Sequence, residues 1–413
     1  MPRLAYSLLL YLALPYVLLR LCWRSRRQPA YLHHVGERFG RYADQPEAVP
    51  LIWLHAVSVG ETRAAEPLLR ALREKYPGHR ILLTHMTPTG REAGEALFGR
   101  DVSRHYLPYD YPGAVRRFLD HFRPRVGVLM ETEIWPNLVH ACNSRGTPLY
   151  LVNARLSEKS FENYQRMGAL TAATLRELTA VAAQTADDAQ RFAALGAQNV
   201  SVVGNLKFDV APPAELLAAG VCLRASLGTR PILLAASTRD GEELLLIDNC
   251  LHTIPEVLLM IVPRHPQRFN EVASLLDKRG VRYQRRSENA IVRADTQVLL
   301  GDSMGEMYAY YAACDAAFIG GSLLPFGGQN LIEACAVGKP VLVGPHTDNF
   351  ADAAEGAVTA GAALRVGDAA DLTRKAAALL THPALMQRMG AAALAFSKTH
   401  QGATKKILDS LRF

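Results

Sequence analysis

The chain has 413 residues, 49% of them hydrophobic and 21% charged, which are globular values with length enough for two cores. Its formal charge of +7, from 46 basic and 39 acidic residues, is a mild excess that suits anionic small molecules or a phospholipid surface. The chain lacks a dense basic patch or an aromatic-interleaved basic run, which argues against nucleic acid as a partner.

The chain opens on an uncharged run from Leu4 to Leu19, flanked by Arg3 and by Arg20, Arg24, Arg26 and Arg27. As a helix this run would cover about 24 Å, slightly short of a ~30 Å hydrocarbon core. Extension to Trp23, with the arginines snorkelling, makes up the difference. Arginines stand where a signal peptide would have its small-x-small cleavage site, so a retained membrane-anchor helix over residues 1–27 is expected, kinked at Pro15. The larger positive cluster follows the run and puts the main body in the cytoplasm. Spanning and interfacial insertion both remain open.

Residues 28–210 read as a first α/β domain. Leu51-Ile52-Trp53-Leu54-His55 is a buried strand, followed by a helix through about Lys75. Ile81–Thr84, Val126–Met130 and Leu149–Val152 are further strands, with short ones near Val181–Ala183 and Val202-Val203. Strands alternating with helices imply right-handed crossovers and a parallel sheet. Ala211-Pro212-Pro213 reads as a linker, because two prolines interrupt both helix and ladder. Residues 211–413 repeat the logic, with strands at Ile232–Ala236, Leu258–Val262, Val298–Leu300, Ala317–Ile319 and Val341–Val343. The pattern fits two Rossmann-like domains facing across a cleft. The first strand lacks a following G-x-G-x-x-G, which counts against a dinucleotide dehydrogenase.

Chemistry-bearing motifs gather at strand ends. Ser58-Val59-Gly60-Glu61 has the spacing of a capping box, with Glu61 reaching back to the Ser58 amide; a general base on a loosened loop is the alternative. Two carboxylates and a tryptophan follow a strand in Glu131-Thr132-Glu133-Ile134-Trp135. Lys207 stands just before the linker, either at the surface or turned toward a site. Arg264, in Pro263-Arg264-His265-Pro266, ends a buried strand where it can grip a phosphate. Gly305, between Met304 and Glu306, permits backbone contact with a base.

The richest stretch runs from Ala316 to Phe350. A strand leads into Gly320-Gly321, a loop ends at Gly327-Gly328, and a helix is expected to open near Asn330, with Leu331 and Ile332 following. Glycines admit a ligand to the backbone, and free N–H groups at a helix start attract an anion. Glu333 is placed to accept from ribose hydroxyls. These parts make a nucleotide pocket at the carboxyl end of a parallel sheet. The six scattered cysteines contain no CxxC and read as mostly buried free thiols, and the 13 histidines form no HExxH. There is no Asp-x-Asp to hold a divalent ion against a nucleoside diphosphate.

WLHAVSVGE (53–61), METEIWPN (130–137), NARLS (153–157), GNLKFD (204–209), VPRHP (262–266), GDSMGEM (301–307) and GGQNLIEA (327–334), in this order, resemble the 3-deoxy-D-manno-octulosonic acid (Kdo) transferases of lipopolysaccharide biosynthesis. The resemblance extends over essentially the whole chain. It implies a GT-B fold and inverting transfer of Kdo from CMP-Kdo to the lipid A precursor (lipid IVA) at the cytoplasmic face of an anionic inner membrane. By the same match, Glu61 is the base, and Glu131 and Lys207 stabilise the transition state. CMP is held by Pro263 and Arg264, by Met304, Gly305 and Glu306, and by Asn330, Leu331, Ile332 and Glu333. No metal is expected, since CMP is a monophosphate that arginine and lysine can neutralise. Two other readings stay open: a related GT-B transferase using a UDP-sugar, and a non-catalytic membrane-anchored nucleotide-binding module.

Overall fold

A computed structural model describes residues 2–43, 49–254 and 256–413. Met1 and the side chain of Arg27, both counted in the expected anchor segment, lie outside the described set. The chain divides into two compact units, one formed by Met1–Val210 with Gln401–Phe413 and the other by Ala211–His400.

The first unit is built on a seven-stranded parallel sheet. Its strands are β1 (Leu51–His55), β2 (Arg80–His85), β3 (Ser103–Tyr106), β4 (Val126–Met130), β5 (Leu149–Ala154), β6 (Ala180–Ala183) and β7 (Val200–Val202). They lie in the order β3-β2-β1-β4-β5-β6-β7, so the winding reverses between β1 and β4. Alternate residues feed two cores. Ile52 and Leu54 pack with Leu68 and Leu72 on one face, while Leu51 and Trp53 pack with Phe118 and Leu119 on the other. Burial on both faces explains why these strands are apolar runs without alternation.

The second unit repeats this plan with β8 (Ile232–Thr238), β9 (Leu258–Pro263), β10 (Tyr283–Arg285), β11 (Val298–Leu300), β12 (Ala316–Ile319), β13 (Val341–Val343) and β14 (Ala363–Arg365). Their order is β10-β11-β9-β8-β12-β13-β14, again all parallel, with the reversal between β8 and β12.

Three expectations are corrected. The helix expected through about Lys75 is two helices, Val59–Ala64 and Glu66–Lys75, because Pro67 cannot supply an amide hydrogen at their junction. The expected second domain does not run to residue 413. The helix Ala403–Ser410 returns to the first unit, where Ala403, Ile407 and Leu411 fill the core beside Leu68 and Leu72. Of the cysteines, Cys22 and Cys222 are exposed and the rest buried.

The anchor is not one helix. Pro2–Leu12 and Leu14–Arg27 meet at a bend of about 50°, and among the described residues no single helix is long and apolar enough to cross a membrane. Pro15 has no N–H to give the Tyr11 carbonyl, whereas the ladder holds on either side, at Ala13 N to Leu9 O and Val17 N to Ala13 O. The pair is amphipathic in an inverted sense. Arg3, Tyr6, Ser7 and Leu10 are turned toward the protein, while Leu4, Leu8, Leu9, Leu12 and Leu19 are exposed.

Close packing of β1 on β4 requires a glycine. A Cβ at Gly127 would lie 2.5 Å from Leu149 Cδ1 and 2.7 Å from the Trp53 ring. Gly127→Ala should therefore cost about 1–3 kcal/mol, the usual penalty for overpacking a core. Urea unfolding of the two proteins checks this, and equal midpoints would contradict the packing argument.

Candidate active site

In open parallel sheets ligands bind beyond the carboxyl ends of the strands at the point where the winding reverses. In the first unit those strands are β1 and β4, and the segments leaving them carry Glu61 and Glu131. Ser58 caps the helix Val59–Ala64, its hydroxyl accepting from the Glu61 amide. The reciprocal half of the expected capping box differs. Glu61 accepts from the Val57 amide at 2.9 Å and from the Ser58 hydroxyl at 3.0 Å, not from the Ser58 amide. The carboxylate thus lies back over the strand end instead of closing the helix start. Burial, reinforced by Glu131, pushes its pKa up to about 7, against the hydrogen bonds from Val57 and Ser58 that favour the charged form.

Glu131 leaves β4 in the left-handed region, with φ of 59°, a strained conformation for a non-glycine residue and one that clusters at functional sites. Its carboxylate pairs with Lys207 Nζ at 3.2 Å. Lys207 is held from behind. The Asn205 side chain accepts its amide, and buried Asn153, itself at φ of 51°, accepts the Leu206 amide. The structure therefore brings Glu61, Glu131 and Lys207 together from three separate parts of the first unit.

Glu133 and His55 join them, and neither had a role in the expected site. Trp135 Nε1 donates to Glu133 at 2.6 Å, and burial raises the Glu133 carboxyl above the usual range. His55 is fully buried, and that burial holds its pKa down to about 3, so the ring is neutral. Its Nδ1 faces the Thr84 carbonyl, which can only accept; Nδ1 therefore carries the hydrogen, and Nε2 is an acceptor 3.9 Å from Glu133. A histidine at the very end of β1 was the sequence signal for it.

In the second unit the reversal lies at β8 and β12. Ser237, at φ of 59°, sits at the register shift near the end of β8 next to Gly320, where an added Cβ would meet the Ser237 carbonyl at 2.5 Å. Arg264, after β9, donates to the Gln329 side chain at 3.1 Å, which sets it beside the glycine loop. Asn330 links that loop to the helix. Its Nδ2 donates to Glu333 at 3.1 Å and its Oδ1 accepts the Ile332 amide. The helix is short, Ile332–Ala336, and Asn330 already uses its leading amide, so the expected row of free N–H groups at this start is not what the loop offers. Pro263 is the last residue of β9, and Leu331 and Ile332 are buried under the loop. Met304, Gly305 and Glu306 follow β11, which pairs with β9; Met304 is exposed, Gly305 has φ of 84°, and Glu306 is tied to Arg286 at 3.1 Å.

Sequence reasoning missed two residues here. Arg239, just beyond β8, donates to His265 at 3.0 Å and lies over the Phe326 ring; with Arg264 and the carboxylate-paired Arg268 it lowers the His265 pKa further after burial has done so. Glu242 is fully buried, and its carboxylate accepts the amides of Arg239, Gly321 and Leu323, locking the glycine turn to the β8 loop. A carboxylate beginning a helix after a strand was its only signal.

The first unit is matched over residues 33–210 by the family model for 3-deoxy-D-manno-octulosonic-acid transferase (kdotransferase), and residues 276–396 by that for glycosyl transferases group 1. The fold and these matches make the chain a glycosyltransferase. It is 46% identical to the 3-deoxy-D-manno-octulosonic acid transferase of Bordetella pertussis, over 100% of this chain and 99% of that one. The corresponding transferase of Haemophilus influenzae is 39% identical over 99% and 98% of the two chains. The chain belongs to the 3-deoxy-D-manno-octulosonic acid transferase family. Among solved structures, a glycosyltransferase from Rickettsia africae superposes with a TM-score of 0.61 at 15% identity, over 88% of this chain and 98% of that one. At that identity the likeness speaks for a shared GT-B-like fold.

A carboxyl whose pKa is raised in the fold binds its proton more tightly folded than unfolded. For Glu61 the linked stability is fully present below the ordinary value of 4.5 and is lost as pH rises through about 7. Glu61→Gln should therefore melt higher than wild type at pH 8 and match it near pH 4. A lower melting temperature for the variant at pH 8 would return Glu61 to a purely structural cap.

Proposed function

We propose that this chain transfers Kdo from CMP-Kdo to a hydroxyl of the lipid A precursor lipid IVA, with inversion, and that Glu61 is the base. The observation that carries this is the Glu61 carboxyl, raised to about 7 beside the Glu131–Lys207 pair. A base of that pKa is half ionised at neutral pH and still strong enough to take a proton. The acceptor oxygen attacks the anomeric carbon of Kdo as the bond from that carbon to the phosphate oxygen breaks. CMP leaves with the electron pair, and Glu61 takes the hydroxyl proton. Positive charge builds on the sugar, and Glu131 opposes it, while Lys207 balances the negative charge on leaving CMP.

On this reading the first unit takes the acceptor and the second takes the donor. Arg264, with Arg239 near it, meets the single phosphate of CMP; Glu333 and Asn330 meet the ribose; and Pro263, Leu331, Ile332 and the Met304-Gly305-Glu306 turn frame the base. One phosphate and two arginines need no divalent ion for charge balance. The bent N-terminal pair, with leucines outward and Arg20, Arg24 and Arg26 exposed after them, lies in the anionic inner membrane on its cytoplasmic side.

Mass spectrometry of products from CMP-Kdo and tetraacylated lipid A precursor tests the reaction. Glu61→Gln should lose roughly 10² or more in kcat, a typical general-base contribution. In the wild type, kcat/KM should fall about tenfold per pH unit below 7 as the base is protonated. A flat profile with an active Gln variant would sink the assignment.

Arg264→Ala should weaken CMP binding by about 1.5–3 kcal/mol, the worth of a charge-assisted hydrogen bond, and titration calorimetry in EDTA should give the same affinity as in magnesium. UDP binding more tightly than CMP would instead favour a UDP-sugar donor.

A further inference from the structure

The inward face of the first N-terminal helix is polar where an anchor needs only grease. The Tyr6 hydroxyl donates to the Asp110 carboxylate, and the Ser7 hydroxyl donates to Asn137 Oδ1 at 3.0 Å. Asp110 is buried between β3 and the helix Pro136–Ser144, whose first amides it accepts, from Asn137 at 2.9 Å and Leu138 at 2.8 Å. The Asn137 side chain returns a bond to the Asp110 carbonyl at 2.7 Å. Tyr111 adds a bond to the Leu10 carbonyl, so the helix is held at two successive turns.

The helix Pro136–Ser144 is the far post of the loop that carries Glu131 and Glu133. Between Met130 at the end of β4 and Pro136 the chain makes a tight turn, with Ile134 N bonded to Thr132 O and Trp135 bonded to Glu133. Glu131 holds its left-handed backbone inside that span. A loop this short cannot move one post without moving its carboxylates. Burial pushes Asp110 up to about 7 even with three side-chain and backbone donors, so losing the Tyr6 donor leaves the charged form dearer still.

We propose that Tyr6 and Ser7 are positioning residues for the transfer reaction: through Asp110 and Asn137 they set the Glu131–Trp135 loop, so that seating of the N-terminal helix governs turnover as well as location. The proposal rests on the catalytic reading given above. It makes the membrane-facing helix one wall of the acceptor machinery.

Tyr6→Phe and Ser7→Ala, singly and together, would be assayed with CMP-Kdo and lipid A precursor in detergent micelles, beside wild type and Glu61→Gln. Melting curves and co-sedimentation with phosphatidylglycerol–phosphatidylethanolamine vesicles accompany the kinetics. The double variant should lose roughly 10-fold to 10²-fold in kcat, the scale of a small misplacement of catalytic groups. Its KM for CMP-Kdo and its vesicle binding should stay at wild-type values, and Ser7→Thr, which keeps the hydroxyl, should turn over near the wild-type rate. Wild-type kcat in the double variant overturns the proposal, as does lost vesicle binding with normal turnover in micelles, which would make the helix an anchor alone. If the double variant does not fold, the Ser7→Ala and Ser7→Thr pair decides: equal rates overturn the proposal. Wild-type enzyme that transfers no Kdo, or a Glu61→Gln variant as active as wild type, would count against the catalytic reading instead.

Discussion

The parallel pairing of β1 with β4 is the constraint on which the first unit depends. Ile52 to His55 run in register with Val126 to Leu129, and Gly127 is bare so that the Trp53 ring can lie against it. Because the winding reverses here, the segments leaving the two strands diverge and leave an open crevice above the sheet. Glu61 stands on one lip and Glu131 on the other. Their separation in sequence is closed by ladder hydrogen bonds, not by any direct attraction, and two carboxylates would otherwise repel. The second unit repeats the device at β8 and β12, where positive charge takes the place of negative.

The electrostatics of the two units are complementary in kind. In the first, Glu61 and Glu133 flank Glu131, which pairs with Lys207, and burial raises the two flanking acids. Glu131 is paired with Lys207, while burial raises Glu61 to about 7. In the second unit, carboxylates are spent on backbone amides: Glu242 ties down the glycine turn while arginines face outward.

Much of this was legible in the chain. The central strands declare themselves because burial on both faces demands unbroken apolar runs. The missed strands β3, β10 and β14 are all sheet edges, with sequences Ser-Arg-His-Tyr, Tyr-Gln-Arg and Ala-Leu-Arg that carry no such demand. Motif resemblance marked Glu61 as a base and spacing described a cap, but neither can say which amide a carboxylate finds. The Glu131–Lys207 pair and the Asn153 support behind it join residues far apart in the chain, and no local pattern reports such a contact. Pro15 announced a kink, yet whether a kinked apolar run faces lipid or protein depends on Tyr6 and Ser7 finding Asp110 and Asn137. The return of the last helix was hidden because amphipathic spacing marks a face to be buried without naming the core that buries it.

That return makes the second unit an insertion within the first. The chain leaves at Val210 and comes back at Gln401, and Asp209 bonds the amides of Gly402 and Thr404, stitching the outgoing and incoming strands together. A single proteolytic nick at the linker would therefore leave the first unit joined to the second through its own final helix. Dissecting the protein into independent domains needs two cuts, and a first domain expressed without Gln401–Phe413 would lack Ile407 and Leu411 from its core.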